Sequence, residues 1–294
     1  MNILDGKATA EQIKEEIKAQ VAHFIDDDFR PPHLAAVLVG NDPASETYVR
    51  NKEKNSKLVG FTSSVYHLPI DTSESELLKV VGFLNDDPDV DGFIVQLPLP
   101  HHINEEKIIN TINPEKDVDG FHPINVGKMV QGTDTFLPAT PSGIVELLRR
   151  YNLQTAGKHA VIIGRSNIVG TPLSILLSRK NDFGNCTVTL CHSYTPDIKE
   201  FSLQADILVA ALGKAAFVKA DMVKDGAIVI DVGINTVPDN TKKSGYRTIG
   251  DVDFDEVSKK ASWITPVPGG IGPMTIVSLL MNTLKAYKYR FNIY

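Results

Sequence analysis

The sequence predicts a two-domain α/β protein, and three observations carry that prediction. Short apolar runs, β-branched in the second half, alternate with helical patterns twice along the chain. A stretch rich in Gly, Pro, Asp and Asn separates the two rhythms, and an amphipathic helical segment follows the second. With 294 residues, 42% of them hydrophobic and 22% charged, the chain can build two modest domains or one large one.

The elements follow in order. A first amphipathic helix is expected over about residues 8 to 25. "LAAVLVG" (34 to 40) reads as a strand, "TYVRNK" (47 to 52) lies in the helix after it, and "SSVYHLP" reads as a second strand. "SESELLKVVGFLN" opens with Ser and Glu in the manner of a capping box. "GFIVQLPLP" reads as a third strand ended by prolines. This βαβαβ order implies parallel pairing with right-handed crossovers. Residues 113 to 140 break the rhythm and are expected to form a functional loop plus a linker. "HAVIIG" (159 to 164), "CTVTLC" (186 to 191), "ADILVAA" (205 to 211) and "AIVIDVG" (227 to 233) supply the strands of a second doubly wound unit. "GPMTIVSLLMNTLKAYKYR" is a final amphipathic helix, expected to return to the first domain.

Composition excludes some functions. A formal charge of −6 leaves no basic stripe for non-specific binding of nucleic acid. Cys186 and Cys191 sit in or beside one apolar run, too far apart along a strand to bridge each other. The polar N-terminus and the absence of a long apolar run lead to the expectation of a cytoplasmic protein with no membrane partner. His101, His102 and His122 lack the partners of a metal site, and no Gly-x-Ser-x-Gly or Cys/His pairing suggests a covalent nucleophile.

Two local patterns carry chemistry. Tyr48 and Lys52 are four residues apart and share one helical face. Taken alone, that spacing favours a solvated face. "VIIGRSNIVGTPLSILLSRK" is strand, glycine turn and helix, with Gly164 for the tight turn, Gly170 at the helix start and Pro172 near it. The helix start would meet a pyrophosphate with its backbone N–H groups. An ordinary βα turn is the alternative. The next strand ends "LCHSYT" without the carboxylate that would hold a ribose 2′-hydroxyl. Arg165 and Ser193 are instead placed for a 2′-phosphate, which favours NADP over NAD. The turn lies far downstream of Tyr48 and Lys52, the reverse of the order in short-chain dehydrogenases, so the pair belongs to a separate domain.

Four stretches together resemble one family. "TYVRNK", "VQLPLP" (95 to 100), "DVDGFHPINVG" (117 to 127) and "TPVPGGIGPMT" (265 to 275) occur in the order and spacing of the bifunctional methylenetetrahydrofolate dehydrogenase/cyclohydrolases, the FolD family. "IGRSNIVGTP" and "DVGIN" fit its nucleotide domain, and the resemblance spans about residues 3 to 285. It implies oxidation of 5,10-methylenetetrahydrofolate with NADP to the 5,10-methenyl form, then hydrolysis to 10-formyltetrahydrofolate. It also implies a catalytic domain over residues 1 to 140 with the returning helix 273 to 294, a Rossmann-like NADP-binding domain over 141 to 272, and a homodimer.

By resemblance, Lys52 is the proton-transfer group and must be neutral for part of the cycle. Gln96 would hydrogen-bond Lys52 and the one-carbon unit, with Leu97 and Pro98 beside it. Tyr48 would stack on the aminobenzoyl ring, and Asp119 would accept from the pterin's amino and ring N–H groups. Gly269, Gly270 and Pro273 would form a backbone wall against the folate. Gly164, Arg165, Ser166, Gly170, Ser193, Gly213, Ile234 and Thr275 would contact the cofactor, with Thr275 starting the last helix and Ile234 near the nicotinamide.

Read without the family, Asp117 and Asp119 could equally be turn residues, Gln96 a strand end and "PGGIGP" a connector. Thr171 and Tyr194 stand where relatives often carry a basic residue, so NADP preference rests on Arg165 and Ser193, and weaker use of NAD is open. Rival readings are a dehydrogenase without hydrolysis, a hydrolase that barely uses NADP, and a non-catalytic NADP-binding regulator. The last would not require Tyr48, Lys52, Gln96 and Asp119 together.

Overall fold

The computed structural model describes residues 1–242 and 245–293. The chain divides into two compact units, one of Met1–Ala10 with Thr140–Thr275 and the other of Glu11–Ala139 with Ile276–Tyr294.

The chain starts with strand β1 (Asn2–Ile3) and helix α1 (Gly6–Asp26). Strand β2 (His33–Val39), helix α2 (Pro43–Leu58), strand β3 (Thr62–Leu68), helix α3 (Glu74–Asp86) and strand β4 (Gly92–Val95) follow. β2, β3 and β4 form a three-stranded parallel sheet in the order β3-β2-β4. The central strand is apolar at nearly every position because both its faces are covered, whereas edge strand β3 stays partly exposed. Leu77, Val81 and Leu84 recur on one face of α3 and pack with the alternate residues Ala35, Val37 and Val39 of β2. Ser73 and Glu76 close the expected capping box at the start of α3.

Two expectations are corrected in this unit. The third strand ends at Val95 rather than running through "QLPLP"; the Leu97–Pro98 peptide is cis, and proline has no N–H to continue a ladder. Residues 113 to 140 are not a plain loop and linker, for they contain helix α5 (Pro123–Gln131), after helix α4 (Glu105–Thr111). Pro123 occupies the first turn of α5, His122 accepts from Ile124 N, and Gly132 ends it with a φ of 75°. Its inward side is polar as well as apolar, Asn125 beside Met129, which hid the helical period.

Helix α6 (Ala139–Arg150) leads into β5 (His159–Ile163), α7 (Gly170–Ser178), β6 (Thr187–Cys191), α8 (Ile198–Ser202), β7 (Ile207–Ala210) and β8 (Ile228–Asp231). After β8 come an antiparallel hairpin of β9 (Asn235–Pro238) and β10 (Tyr246–Ile249), helix α9 (Phe254–Val257), β11 (Trp263–Ile264) and helix α10 (Ile271–Phe291). The main sheet is parallel throughout, in the order β1-β11-β8-β7-β5-β6. Edge strand β1 was not anticipated. Cys186 and Cys191 are free, buried thiols.

The C-terminal part of α10 belongs to the three-stranded unit. Tyr287 donates to the Arg30 carbonyl at 2.8 Å, and the Arg30 guanidinium lies over the rings of Tyr287 and Phe291. Arg30 grips the buried Asp91 carboxylate with two 2.8 Å bonds. Asp91 also accepts from His33 N at 2.7 Å and lies 3.6 Å from Arg290 of α10, so this carboxylate joins the sheet to the last helix. No helix among the described residues is long and apolar enough to cross a membrane.

Candidate functional site

In the three-stranded unit the candidates gather around α2, the end of β4 and the turn before α5. Helix α2 is capped by Asp42, which accepts from Ser45 N at 2.8 Å, with Pro43 in the first turn. Ser45, Val49 and Ser56 are its buried residues. Lys52 completes that stripe at helical spacing, so it points inward and not to a solvated face. Its Nζ donates to Gln96 Oε1 at 3.2 Å.

Gln96 follows β4, held by its backbone N–H to the Val37 carbonyl, and its Nε2 donates to the Leu97 carbonyl at 2.6 Å. The amide oxygen is therefore the atom left to receive the lysine. Leu97 is half-buried and Pro98 exposed beside it. Tyr48 lies one turn before Lys52 and keeps 38% exposure. Burial of the remainder pushes its phenol above the ordinary value.

The "DVDG" turn separates its two aspartates. Asp117 is the structural one: it accepts from Phe121 N, His122 N and Asn125 Nδ2, at 3.2, 2.8 and 2.8 Å. Asp119 has none of these partners. Burial raises its pKa from the ordinary carboxylate value, the positive Lys52 opposes that rise, and Asp117 adds to it. Gly120, at a φ of 74°, lets the turn approach the Leu137–Pro138 backbone, where a Cβ would come within 2.6 Å of Leu137 C. Asn282 of α10 ties both sides by donating to the carbonyls of Val118 and Leu137. A larger hollow of about 340 Å³ in this unit, lined by Lys116, Lys128, Asp134 and Arg290 among others, contains none of the candidates.

In the six-stranded unit the candidates lie at the carboxyl ends of the strands, where doubly wound sheets bind ligands. Gly164, at a φ of 122°, passes so close to the next strand that a Cβ would sit 2.1 Å from the Ala211 carbonyl oxygen. A Cβ on Gly170 would sit 1.9 Å from the Gly164 carbonyl oxygen. No side chain caps the N-terminus of α7. Such a bare, glycine-lined helix start fits a pyrophosphate. Ser166 Oγ accepts from Val169 N inside the turn. Arg165 is exposed, its guanidinium 5.9 Å from the centre of the Tyr194 ring, and Ser193 is exposed just beyond β6. Gly213, at a φ of 67°, has open space where a Cβ would stand.

Ile234, Gly269, Gly270 and Pro273 line one cavity of about 190 Å³ with Asp231 and Thr248. The "PGGIG" wall is anchored by a segment that sequence reasoning missed: Lys7 N donates to the Gly269 carbonyl at 2.8 Å, and a Cβ on Gly6 would fall 1.8 Å from the Gly270 carbonyl oxygen. The lone glycine in "LDGK" was the available signal. Thr275 does not start the last helix, which begins at Ile271, two residues after Gly269 turns the chain at a φ of 110°. Its hydroxyl is 2.9 Å from that of Thr140. Asp231 and Asp251 are further buried residues that motif reading passed over.

Comparison with known proteins agrees with this geometry. The catalytic domain of the tetrahydrofolate dehydrogenase/cyclohydrolases matches residues 4–119, and their NAD(P)-binding domain matches residues 138–291. The bifunctional protein FolD of Porphyromonas gingivalis is 60% identical over 97% of both chains. The solved FolD dehydrogenase/cyclohydrolase of Campylobacter jejuni is 48% identical with a TM-score of 0.92, covering 99% of each chain. That of Trypanosoma brucei, solved with NADP cofactor and an inhibitor, is 39% identical with a TM-score of 0.91, covering 97% of this chain and 96% of its own. The chain belongs to the tetrahydrofolate dehydrogenase/cyclohydrolase family.

Proposed function

We propose that this protein oxidises 5,10-methylenetetrahydrofolate with NADP to the 5,10-methenyl form and hydrolyses that product to 10-formyltetrahydrofolate. The observation that carries the reading is the inward-pointing Lys52, held by Gln96 at 3.2 Å and beside a carboxylate, Asp119, with no structural duty in its turn. Bound NADP supplies the hydride acceptor. Hydride loss from an N–CH2–N bridge leaves a delocalised cation directly, so that step needs placement and no base.

Hydrolysis needs a base. Water adds to the methenyl carbon and gives up one proton to the neutral amine of Lys52. The carbon–N5 bond then breaks as the oxygen becomes a carbonyl and N5 receives a proton. Gln96 aims the amine through its Oε1, while its Nε2 is turned to the Leu97 carbonyl. Asp119 accepts from the pterin's amino and ring N–H groups, and Tyr48 stacks on the aminobenzoyl ring. Leu97, Pro98, Gly269, Gly270 and Pro273 shape the folate surface.

The start of α7, with Gly164, Ser166 and Gly170, holds the pyrophosphate of NADP. Arg165 and Ser193 hold its 2′-phosphate, while Gly213, Ile234 and Thr275 face its remaining half. NAD is the weaker alternative. The division of work follows the chain, with folate chemistry in residues 1 to 140 plus 273 to 294 and cofactor binding in 141 to 272. The active form is a cytoplasmic homodimer. The NADP-bound relative from Trypanosoma brucei supports the choice of cofactor.

The test mixes purified protein with 5,10-methylenetetrahydrofolate and NADP or NAD, following reduced nicotinamide and then, after acidification, methenyl product. Reduction with little methenyl accumulation is expected. No reduction with either cofactor, from folded protein, overturns the assignment.

A further inference from the structure

Two buried carboxylates in the six-stranded unit have no part in the chemistry above. Asp231 ends β8, and Asp251 follows β10; both are almost wholly inaccessible to solvent. Asp251 Oδ2 accepts from the backbone N–H groups of Leu212 and Gly213, at 2.7 and 2.8 Å. Its Oδ1 accepts from Asn235 Nδ2 at 2.9 Å. One carboxylate thus ties the loop after β7 to the segment after β8.

Asp231 holds Asp251 in turn, accepting from Asp251 N at 2.8 Å, Val252 N at 2.9 Å and Gly233 N at 2.9 Å. The fit leaves no slack. A Cβ on Gly233 would stand 2.2 Å from Asp251 Oδ1, and one on Gly250 would stand 1.8 Å from Asp231 Oδ2. Both carboxylates are filled by fixed donors from three chain segments.

The tied loops leave the carboxyl ends of β7 and β8. In a doubly wound sheet the dinucleotide runs along those ends, with its pyrophosphate at the first glycine turn, here after β5. The half beyond the pyrophosphate then lies over β7 and β8. We propose that Asp251 is a positioning residue for the dinucleotide, which sets the Leu212–Gly213 and Gly233–Asn235 backbones against the half that carries the reacting ring. This inference rests on the NADP reading given above.

The donor pattern provides the test. In Asp251→Asn, the amide oxygen keeps the two backbone donors but its NH2 meets the NH2 of Asn235, donor against donor. Asn235→Asp alone sets carboxylate against carboxylate. The double variant Asp251→Asn/Asn235→Asp restores one donor and one acceptor. Affinity for NADPH is read by titrating nicotinamide fluorescence, with the unfolding midpoint measured alongside.

Each single variant is expected to bind NADPH about 10-fold more weakly, as for a buried hydrogen bond left unmade, and the double variant to recover to within about threefold of wild type. A residue that only stabilised the fold would lower the unfolding midpoint and leave the affinity of folded protein unchanged. Should Asp251→Asn fail to fold, Asn235→Asp and the double variant carry the comparison. Folded single variants that bind as tightly as wild type, or a double variant that recovers nothing, overturn the positioning role alone. A wild-type protein that binds neither NADPH nor NADH overturns the cofactor reading and this inference together.

Discussion

Lys52 Nζ donates to Gln96 Oε1 at 3.2 Å, while the nitrogen of the same amide is committed to the Leu97 carbonyl at 2.6 Å. The amide oxygen is thus the atom turned to the lysine, and it accepts without adding a charge. A neutral acceptor orients the amine yet leaves it free to exchange a proton.

Lys52→Met removes the proton-transfer group and keeps the unbranched side chain as far as its ε-carbon. Cyclohydrolase activity should fall by about 10²–10⁴-fold, the usual worth of general acid–base catalysis, with most of the dehydrogenase rate retained. The two activities are assayed separately on one preparation with intact circular dichroism. Equal losses in both would show that the lysine positions substrate instead.

Gln96→Glu puts a carboxylate where the amide oxygen now accepts. An anion at that position favours the charged lysine, so hydrolysis should slow at neutral pH and its rate profile should shift to higher pH. A profile of unchanged shape in the variant would mean that the pair does not control the proton.

Asp119 must be ionised to accept two N–H groups. Burial, the largest influence, raises its pKa above the ordinary value of 3.8, so its charged form is lost as pH falls at a higher pH than for a free carboxylate. The KM for folate should rise on acidification in wild type, and Asp119→Asn should show a KM at least about tenfold higher that no longer varies across that range. A pH-independent KM in wild type would remove Asp119 from the binding contact.

Arg165→Ala should raise the KM for NADP by about tenfold or more, the scale of a charged hydrogen bond, and leave that for NAD nearly unchanged. Initial rates at varied cofactor decide it. Equal losses would place the 2′-phosphate elsewhere.

Asp231 links the same region to stability. Burial pushes its carboxyl up to about 6 from an ordinary value of 3.8, against the pull of its three backbone donors. A group with a raised folded value binds its proton more tightly when folded. Its contribution is fully present below pH 3.8 and is lost as pH rises through about 6, a change of about 3 kcal/mol. Relative to Asp231→Asn, wild type should therefore lose stability between those limits and run parallel above them. Urea unfolding followed through Trp263, which lies in the same sheet, measures this directly. Parallel curves throughout would mean that the carboxyl titrates normally.

Much of the fold was legible because apolar runs of two different periods are hard to confuse. Parallel strands covered on both faces, such as β2, β5 and β7, announce themselves as nearly continuous apolar runs. Helix α5 was not legible, since its buried side carries Asn125 to bond Asp117, and a polar core contact breaks the apolar period. Strand β1 has two residues, too few for any period.

The candidate residues were found through motifs, and the geometry adds distinctions that spacing cannot supply. It assigns Asp117 to the turn and leaves Asp119 free of it. It puts Lys52 on the inward stripe of α2, which the many charged neighbours had obscured. Asp251 went unnoticed because two of its partners are backbone groups, which leave no mark in side-chain spacing, and the third, Asn235, is far from it in sequence.

Strand β1 has one further consequence. Among the described residues its ladder partner is β11, with Asn2 set against Trp263 and Ile3 against Ile264. The edge of the sheet is thus sealed by the pairing most distant in sequence, which is slow to form. A fragment cut from the chain as one continuous piece, residues 140 to 275, would carry β11 as a bare edge open to neighbouring chains. A chain interrupted before Trp263 would lose β11 and with it the seat of β1, leaving β8 as the bare edge of the sheet.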